Sequence, residues 1–190
     1  MSKSVSKGSP LLIQGQTGEV WRLLHGVMVI KREGLGDAGI VNLALPGDLL
    51  GVEASGGMPY TYTTYALTNA WAMPDRTDCT EAATTLLYDG LLQLQRQSET
   101  MVRLRTGSIK VRMAYLLKLL ADSLGGKNLC FSDAELPTLK DFSSVLGTAS
   151  QTVCRELDDF LPKQFGTSNA SAQVWTNKLA HATYAVSAAV

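Results

Sequence analysis

Histidine and cysteine are scarce in this sequence. Its 190 residues include two histidines, His25 and His181, and three cysteines, Cys79, Cys130 and Cys154, which lie far apart without the spacing of metal ligands. A zinc or haem centre built by the chain has few ligands to draw on, so no metal and no cofactor is expected. The thiols are expected to be buried. His25, beside Gly26 in a strand-like stretch, is expected to be structural. A metal-dependent β-roll enzyme of the cupin kind needs paired histidines and a glutamate converging on one ion, which a single histidine in that region cannot supply. No nucleophile with a nearby base is visible, nor a glycine loop that cradles phosphate at a helix start. The chain therefore reads as a binding protein and not an enzyme.

Long apolar runs are also missing. Without about 18 consecutive apolar residues there is no membrane-spanning helix. The opening MSKSVSKGSP has basic and small residues but no apolar core ended by a cleavage site, so no secretory leader is expected. These features point to a cytoplasmic protein with no membrane partner. Net charge is absent too, with 17 basic and 17 acidic residues. Zero net charge alone argues against nucleic acid. The distribution is uneven, however: residues 1–100 hold 7 basic against 10 acidic groups, and residues 101–165 hold 9 against 7. The C-terminal part is mildly basic, which suits a protein that concentrates its positive groups on one small face.

What is present divides into two textures. From Leu11 to about Met73, short apolar or alternating runs are broken by Gly, Pro, Asn and Asp, as in VWRLLHG, VMVIKRE, IVNLAL, PGDLLG and TYTTYAL. Strands with turn residues every eight to twelve positions predict an antiparallel sandwich or barrel. Glycines at 15, 18, 26, 34, 36, 39, 47 and 51 fall mostly at the predicted turns. Tyr60, Tyr62, Thr63, Thr64 and Tyr65 read as one strand, either lining a pocket or forming cross-strand packing pairs.

From Thr80 to Leu124 almost every residue is a good helix former. Leu87, Leu91, Leu94, Ser98, Met101 and Arg105 step by four and three, a heptad seam. Such a short seam packs on its own domain or on a second copy. The adjoining polar residues Gln93, Gln95, Arg96, Gln97, Glu99 and Arg103 predict an exposed helix with one narrow apolar stripe, which favours a second copy. The expected dimer contacts are Leu87, Leu91, Leu94, Ser98 and Met101. Gly107 marks a bend, and Ile109, Met113, Leu116, Leu117 and Leu120 form a second amphipathic helix ending at Gly125-Gly126.

The stretch LKDFSSVLGTASQTVCREL, 139–157, predicts two short helices joined by a tight turn. Leu139, Phe142, Val145 and Leu146 form one stripe, Gly147 breaks the helix, and Thr148 or Ser150 can cap the next. Val153 and Leu157 turn the second helix onto the first. Ser150, Gln151, Thr152 and Arg155 remain on the outer side, where Gln suits adenine, Arg suits guanine or phosphate, and Ser and Thr suit either. An ordinary helical hairpin with a polar face has the same spacing. Beyond Phe160, Pro162, Gly166 and SNASAQ read as loop and 173–176 as a short strand.

The order of these parts resembles the CRP/FNR family of bacterial transcription factors. The matching stretches are QGQTGEVWRLLHGVMVI, PGDLLG, RMAYLLKLLA and FSSVLGTASQTVCREL, within residues 10–160, and VLGTASQTVCREL is the most specific. The resemblance implies an α+β chain: an antiparallel β-roll of the cyclic-nucleotide-binding type, a double-stranded β-helix, over 1–79; a long dimerisation helix over 80–107; and a winged helix-turn-helix over 108–190. It also implies a homodimer on double-stranded DNA at a pseudo-palindromic operator, half-sites about one helical turn, roughly 34 Å, apart, with RNA polymerase as a further partner. By position, Ser150, Gln151 and Arg155 would read bases, and Thr148 and Thr152 would touch phosphate, which positions the protein without reading sequence.

Departures from the family bear on the effector. Nucleotide-binding members carry Gly-Glu and, about ten residues on, Arg-Ser or Arg-Thr; here Val52 precedes Glu53, and the Arg position falls on Tyr62, before Thr63 and Thr64. A buried phosphate without an opposed cation is costly, so cyclic-nucleotide control is not expected. The cysteine set of fumarate-nitrate sensors is absent before Cys79. An unknown small-molecule effector, or none, remains, with Glu53, Tyr62, Thr63, Thr64, Gln97 and Ser98 as the candidate pocket. The N-terminus looks clipped beside the family, and the wing after Phe160 matches poorly. The competing reading is a small-molecule-binding or interaction module whose helix-turn-helix is vestigial.

Overall fold

Along the strand that ends the first half of the chain, Ala70 and Ala72 are fully buried while Trp71 and Met73 are exposed, the two-residue alternation of a strand with one face on a core. The computed structural model describes residues 1–35, 39–75, 80–124 and 136–160. Among these, eight strands run β1 (Lys3–Val5), β2 (Pro10–Leu12), β3 (Trp21–His25), β4 (Met28–Lys31), β5 (Ile40–Ala44), β6 (Leu49–Leu50), β7 (Thr63–Ala66) and β8 (Ala70–Pro74). A one-turn 3-10 helix, Val52–Gly56, sits between β6 and β7. Four helices follow: α1 (Thr80–Arg105), α2 (Ile109–Ser123), α3 (Leu139–Leu146) and α4 (Ser150–Phe160). The chain divides into two units, Met1–Met101 and Val102–Val190.

The strands form two four-stranded sheets, ordered β1-β8-β3-β6 and β2-β7-β4-β5, with antiparallel pairing throughout. Leu12, Leu23, Met28, Ala44, Leu50, Ala66, Ala70 and Ala72 supply the core of this first unit. The expected antiparallel sandwich or barrel is thus a two-sheet α+β arrangement with helices after it. The N-terminal residues, ahead of the predicted strand pattern that starts at Leu11, make strand β1, where Val5 is buried and pairs with Ala70. Tyr60 and Tyr62 lie ahead of β7 rather than in it, so the predicted tyrosine strand is four residues long and begins at Thr63.

Tyr60 is the packing centre of one end of this unit. Its ring is buried and its hydroxyl donates to the Glu19 carbonyl at 2.8 Å. Gly18 is expected at a turn for its backbone angle, but no positive φ is found there. It is needed because a Cβ would overlap the Tyr60 hydroxyl. Gly51 answers both demands, with φ +69° and a Cβ position 2.5 Å from the Tyr60 ring.

Helix α1 turns two of the polar residues expected in solvent, Gln93 and Gln97, inward, whereas Gln95, Arg96, Glu99 and Arg103 are exposed as expected. Leu86 packs with Val20 and Leu49. Gln93, Gln97 and Thr100 are nine-tenths or more buried, whereas Leu87, Leu91 and Leu94 keep 63%, 64% and 57% of their surface exposed. Glutamine is ordinarily a surface residue, and these two go inside because the backbone and side chain opposite them have unmet hydrogen bonds to offer.

In the second unit, Ser108 caps α2, which buries Met113, Leu116, Leu117 and Leu120. Thr138 and Asp141 form a reciprocal capping box at the start of α3. Phe142, Val145 and Leu146 are buried as expected, but Leu139 is exposed. The segments expected as loop, strand and wing after Phe160 lie outside the described residues, as do Cys79, Cys130 and His181. No helix among the described residues is long and apolar enough to cross a membrane.

Candidate functional site

The turn between α3 and α4 is shaped by Gly147, whose φ of +60° closes the first helix in a left-handed cap. That region costs other residues about 1–2 kcal/mol. The Thr148 N–H donates to the Ser143 carbonyl at 3.0 Å, and the Ala149 carbonyl accepts from Thr152 and Val153 at 3.0 and 3.1 Å. Ala149, rather than Thr148 or Ser150, therefore precedes the first turn of α4. Val153 and Leu157 are buried, and α4 packs on both α3 and α2.

This leaves one face of α4 in solvent. Ser150, Gln151, Cys154 and Arg155 are exposed on it, while Thr148 and Thr152 are half-buried beside it. Cys154 is a free, exposed thiol, against the expectation that it is buried: it follows Val153 by one residue, which carries it off the buried stripe. The Arg155 guanidinium is 3.9 Å from Glu156, with 77% of its side chain exposed. Glu156 is buried, but at that distance the pair is no direct hydrogen bond, so the exposed guanidinium can still reach a ligand.

Two arginines, one of them placed by sequence reading only in the heptad seam, hold the turn. Arg105, at the end of α1, donates from Nε to the Val145 carbonyl at 3.1 Å, and its Cδ would lie 3.5 Å from a Cβ on Gly147. Arg112 in α2 donates from Nη1 to the Leu146 carbonyl at 2.8 Å. The last carbonyls of a helix lack partners within it, and positive side chains suit that end. The chain that leads into α4 is thus gripped by α1 and α2, which fixes how α4 projects.

Most of the candidate effector residues have partners within the fold or are buried in it. Glu53, in the 3-10 helix, accepts from the Thr61 N–H at 2.6 Å. Thr63 and Thr64 are buried in β7, and Thr63 Oγ1 accepts from the Gln14 N–H at 3.1 Å. Tyr62 is half-buried; Gln97 is buried and Ser98 is exposed. The residue that sequence reading misses here is Asp48, within PGDLLG. Its carboxylate is 1% exposed and accepts from the Leu45 N–H at 2.9 Å, Arg96 Nη2 at 2.6 Å and Gln97 Nε2 at 3.2 Å. One turn earlier in α1, Gln93 accepts from the Leu49 N–H at 2.7 Å and donates to its carbonyl at 2.9 Å. Arg22 adds ion pairs to Asp75 at 2.7 Å and to Asp89 at 3.0 Å. Burial opposes its charge, but the bonds to the two carboxylates outweigh that and raise its pKa above the ordinary value.

No family model and no curated protein sequence matches the chain. Solved structures do. A CRP-family transcriptional regulator from Thermus thermophilus superposes with a TM-score of 0.66 at 24% identity, covering 83% of each chain. The chain has the fold of the CRP/FNR regulators. A second regulator of the CRP/FNR family, from the same organism, matches with a TM-score of 0.59 at 18% identity, over 93% of this chain and 98% of its own. FixK2 from Bradyrhizobium japonicum matches with a TM-score of 0.61 at 19% identity, over 93% of this chain and 96% of its own. The likeness extends beyond the β-sheets to most of each chain.

Proposed function

We propose that this chain is a sequence-specific DNA-binding transcription regulator of the CRP/FNR kind. It works as a homodimer on a pseudo-palindromic operator and by binding alone, with no catalysis. The observation that carries this reading is the exposed apolar seam of helix α1. Gln93 and Gln97 are spent on the first unit while Leu87, Leu91 and Leu94 face solvent, with Ser98 exposed and Met101 half-buried on the same seam. From Leu87 to Met101 is 14 residues, about 21 Å of helix at 1.5 Å per residue, an apolar strip that water does not favour and a second copy of the same strip would cover.

Residues 1–79 then form the roll, 80–107 the dimerisation helix and 108–190 a winged helix-turn-helix. Pairing two copies along α1 presents two α4 helices to one duplex. Ser150, Gln151 and Arg155 read base edges, and Thr148 and Thr152, half-buried at the helix start, meet the phosphates. The exposed polar side chains of Gln151 and Arg155 weigh against a vestigial helix-turn-helix. Such a regulator acts in the cytoplasm, with RNA polymerase as its further partner.

A band-shift titration on duplexes carrying inverted repeats tests the proposal. Saturable, sequence-dependent binding by the native chain, lost on Arg155→Ala, is the expected outcome. Equal binding to every duplex, or none, would refute it.

A further inference from the structure

The roll of nucleotide-binding regulators is completed by an anionic ligand; the residues of this chain do not fit one. We infer that the roll is closed on its own side chains and needs no small-molecule effector, its tie to α1 being made by Asp48. This inference rests on the proposed regulator role only for its consequence, a protein competent as synthesised.

Three observations carry it. The first is charge: residues 33–75, which span the 3-10 helix and β7, contain no lysine, arginine or histidine, and include Glu33, Asp37, Asp48, Glu53 and Asp75. A phosphate brought to Tyr62 would lie beside the Glu53 carboxylate, which holds the neighbouring Thr61 N–H, and the segment supplies no cation of its own; the basic residue in register with β7 is Lys31, on β4 opposite Thr63, and burial of an unpaired anion is heavily penalised.

The second is saturation. The Glu53 carboxylate is engaged by the Thr61 N–H, Thr63 Oγ1 by the Gln14 N–H, and the Gln97 amide by Asp48. Beside them Tyr60 fills the interior so closely that a Cβ on Gly18 or Gly51 would overlap its ring or hydroxyl. An effector would have to displace bonds already made, and breaking those of Thr63 or Gln97 leaves a buried group unpaired.

The third is the tie itself. Asp48 joins the turn before β6 to two successive residues of α1, Arg96 and Gln97, and Gln93 clasps both polar backbone atoms of Leu49. The Gln93 amide acts on the free edge of β6 as a neighbouring strand would. With these bonds in place, the position of α1 on the first unit is set by the protein alone. A ligand shifts an equilibrium only through different affinities for two states, and the bonds that would distinguish them are made here by the chain's own side chains.

The experiment uses the full chain in three readings. First, denatured protein is examined by mass spectrometry for released small molecules, and native protein is melted with cyclic AMP or cyclic GMP at millimolar concentration. No stoichiometric metabolite and an unmoved melting temperature are expected. A ligand at roughly a hundred times its Kd would raise the midpoint by several degrees; that rise, or a stoichiometric metabolite, overturns the inference. Second, hydrogen exchange on Gln97→Ala is expected to speed at amides 47–50 by about tenfold or more while amides 113–121 keep their rates; unchanged exchange at 47–50 overturns the tie. Should Gln97→Ala fail to fold, Arg96→Gln, at an exposed side chain, takes its place with the same two outcomes. Third, DNA affinity is measured with and without each nucleotide. Equal affinity supports the inference and a gain of about tenfold overturns it. Complete loss of DNA binding in every condition would strike the regulator role, and the first two readings would still decide the roll.

Discussion

Truncating Leu91 to alanine separates the two faces of α1 most sharply. Leu87, Leu91 and Leu94 retain 63%, 64% and 57% of their surface in the single chain. Full burial of a leucine is worth about 2 kcal/mol, so covering the remaining three-fifths of Leu91 against a partner stabilises by roughly 1.2 kcal/mol per copy. Two copies meet in a symmetric dimer, and Leu91→Ala removes most of that contribution twice, about 2 kcal/mol in all, or roughly thirtyfold in the dimer Kd. Sedimentation equilibrium over a dilution series measures it. Gln93→Ala serves as the opposite-face control: it strips two hydrogen bonds from Leu49, costs about 1–3 kcal/mol of folding stability, and leaves the dimer Kd essentially unchanged. A Leu91→Ala chain that associates as tightly as the parent, or a Gln93→Ala chain that loses association first, would refute this assignment of faces.

Three further outcomes are expected. Gln151→Ala and Arg155→Ala each lose about 1–3 kcal/mol of discrimination at one base position, read as the ratio of affinities for a selected operator and its single-base variants; a uniform loss across all sequences would place those side chains on phosphate instead. Gly51→Ala combines left-handed strain of about 1–2 kcal/mol with overlap on Tyr60, worth about 1–3 kcal/mol of overpacking, and denaturant unfolding should show the sum; a neutral result would contradict the packing of Tyr60. Burial, partly offset by hydrogen bonds, raises the Tyr60 phenol above its ordinary value of 10.0. The neutral form is the one favoured in the fold, so this contribution is full below pH 10.0 and declines as pH rises from there through the raised value. Tyr60→Phe should flatten that decline in alkaline unfolding curves, and an unchanged slope would count against it.

Much of this is legible in the sequence because it is local. Gly147 between two apolar stripes gives a turn between helices, and Val153 and Leu157 decide which side of α4 is buried, leaving Gln151 and Arg155 outside. The strands of the first half announce themselves by short apolar runs between turn residues. What is not legible depends on partners distant in sequence. Lys3–Val5 is too short to show a period, and becomes a strand because β8 offers it an edge. Gln93 and Gln97 look like a solvent-facing pair until Asp48 and Leu49, more than 40 residues earlier, place unmet polar groups opposite them. Polarity alone therefore misplaces Gln93 and Gln97, although the heptad spacing of Leu87, Leu91 and Leu94 does pick out one exposed stripe. Gly18 follows the same rule: its need lies in the ring of Tyr60, which no local pattern reveals.

Selection of duplexes from a random pool by the native chain is the most direct test of paired α4 helices acting on DNA. Enrichment of an inverted repeat with half-site centres about one helical turn apart, roughly 34 Å, bound by two chains per duplex without added nucleotide, is the predicted result. A pool that yields no repeat, or a site occupied by a single chain, would contradict it.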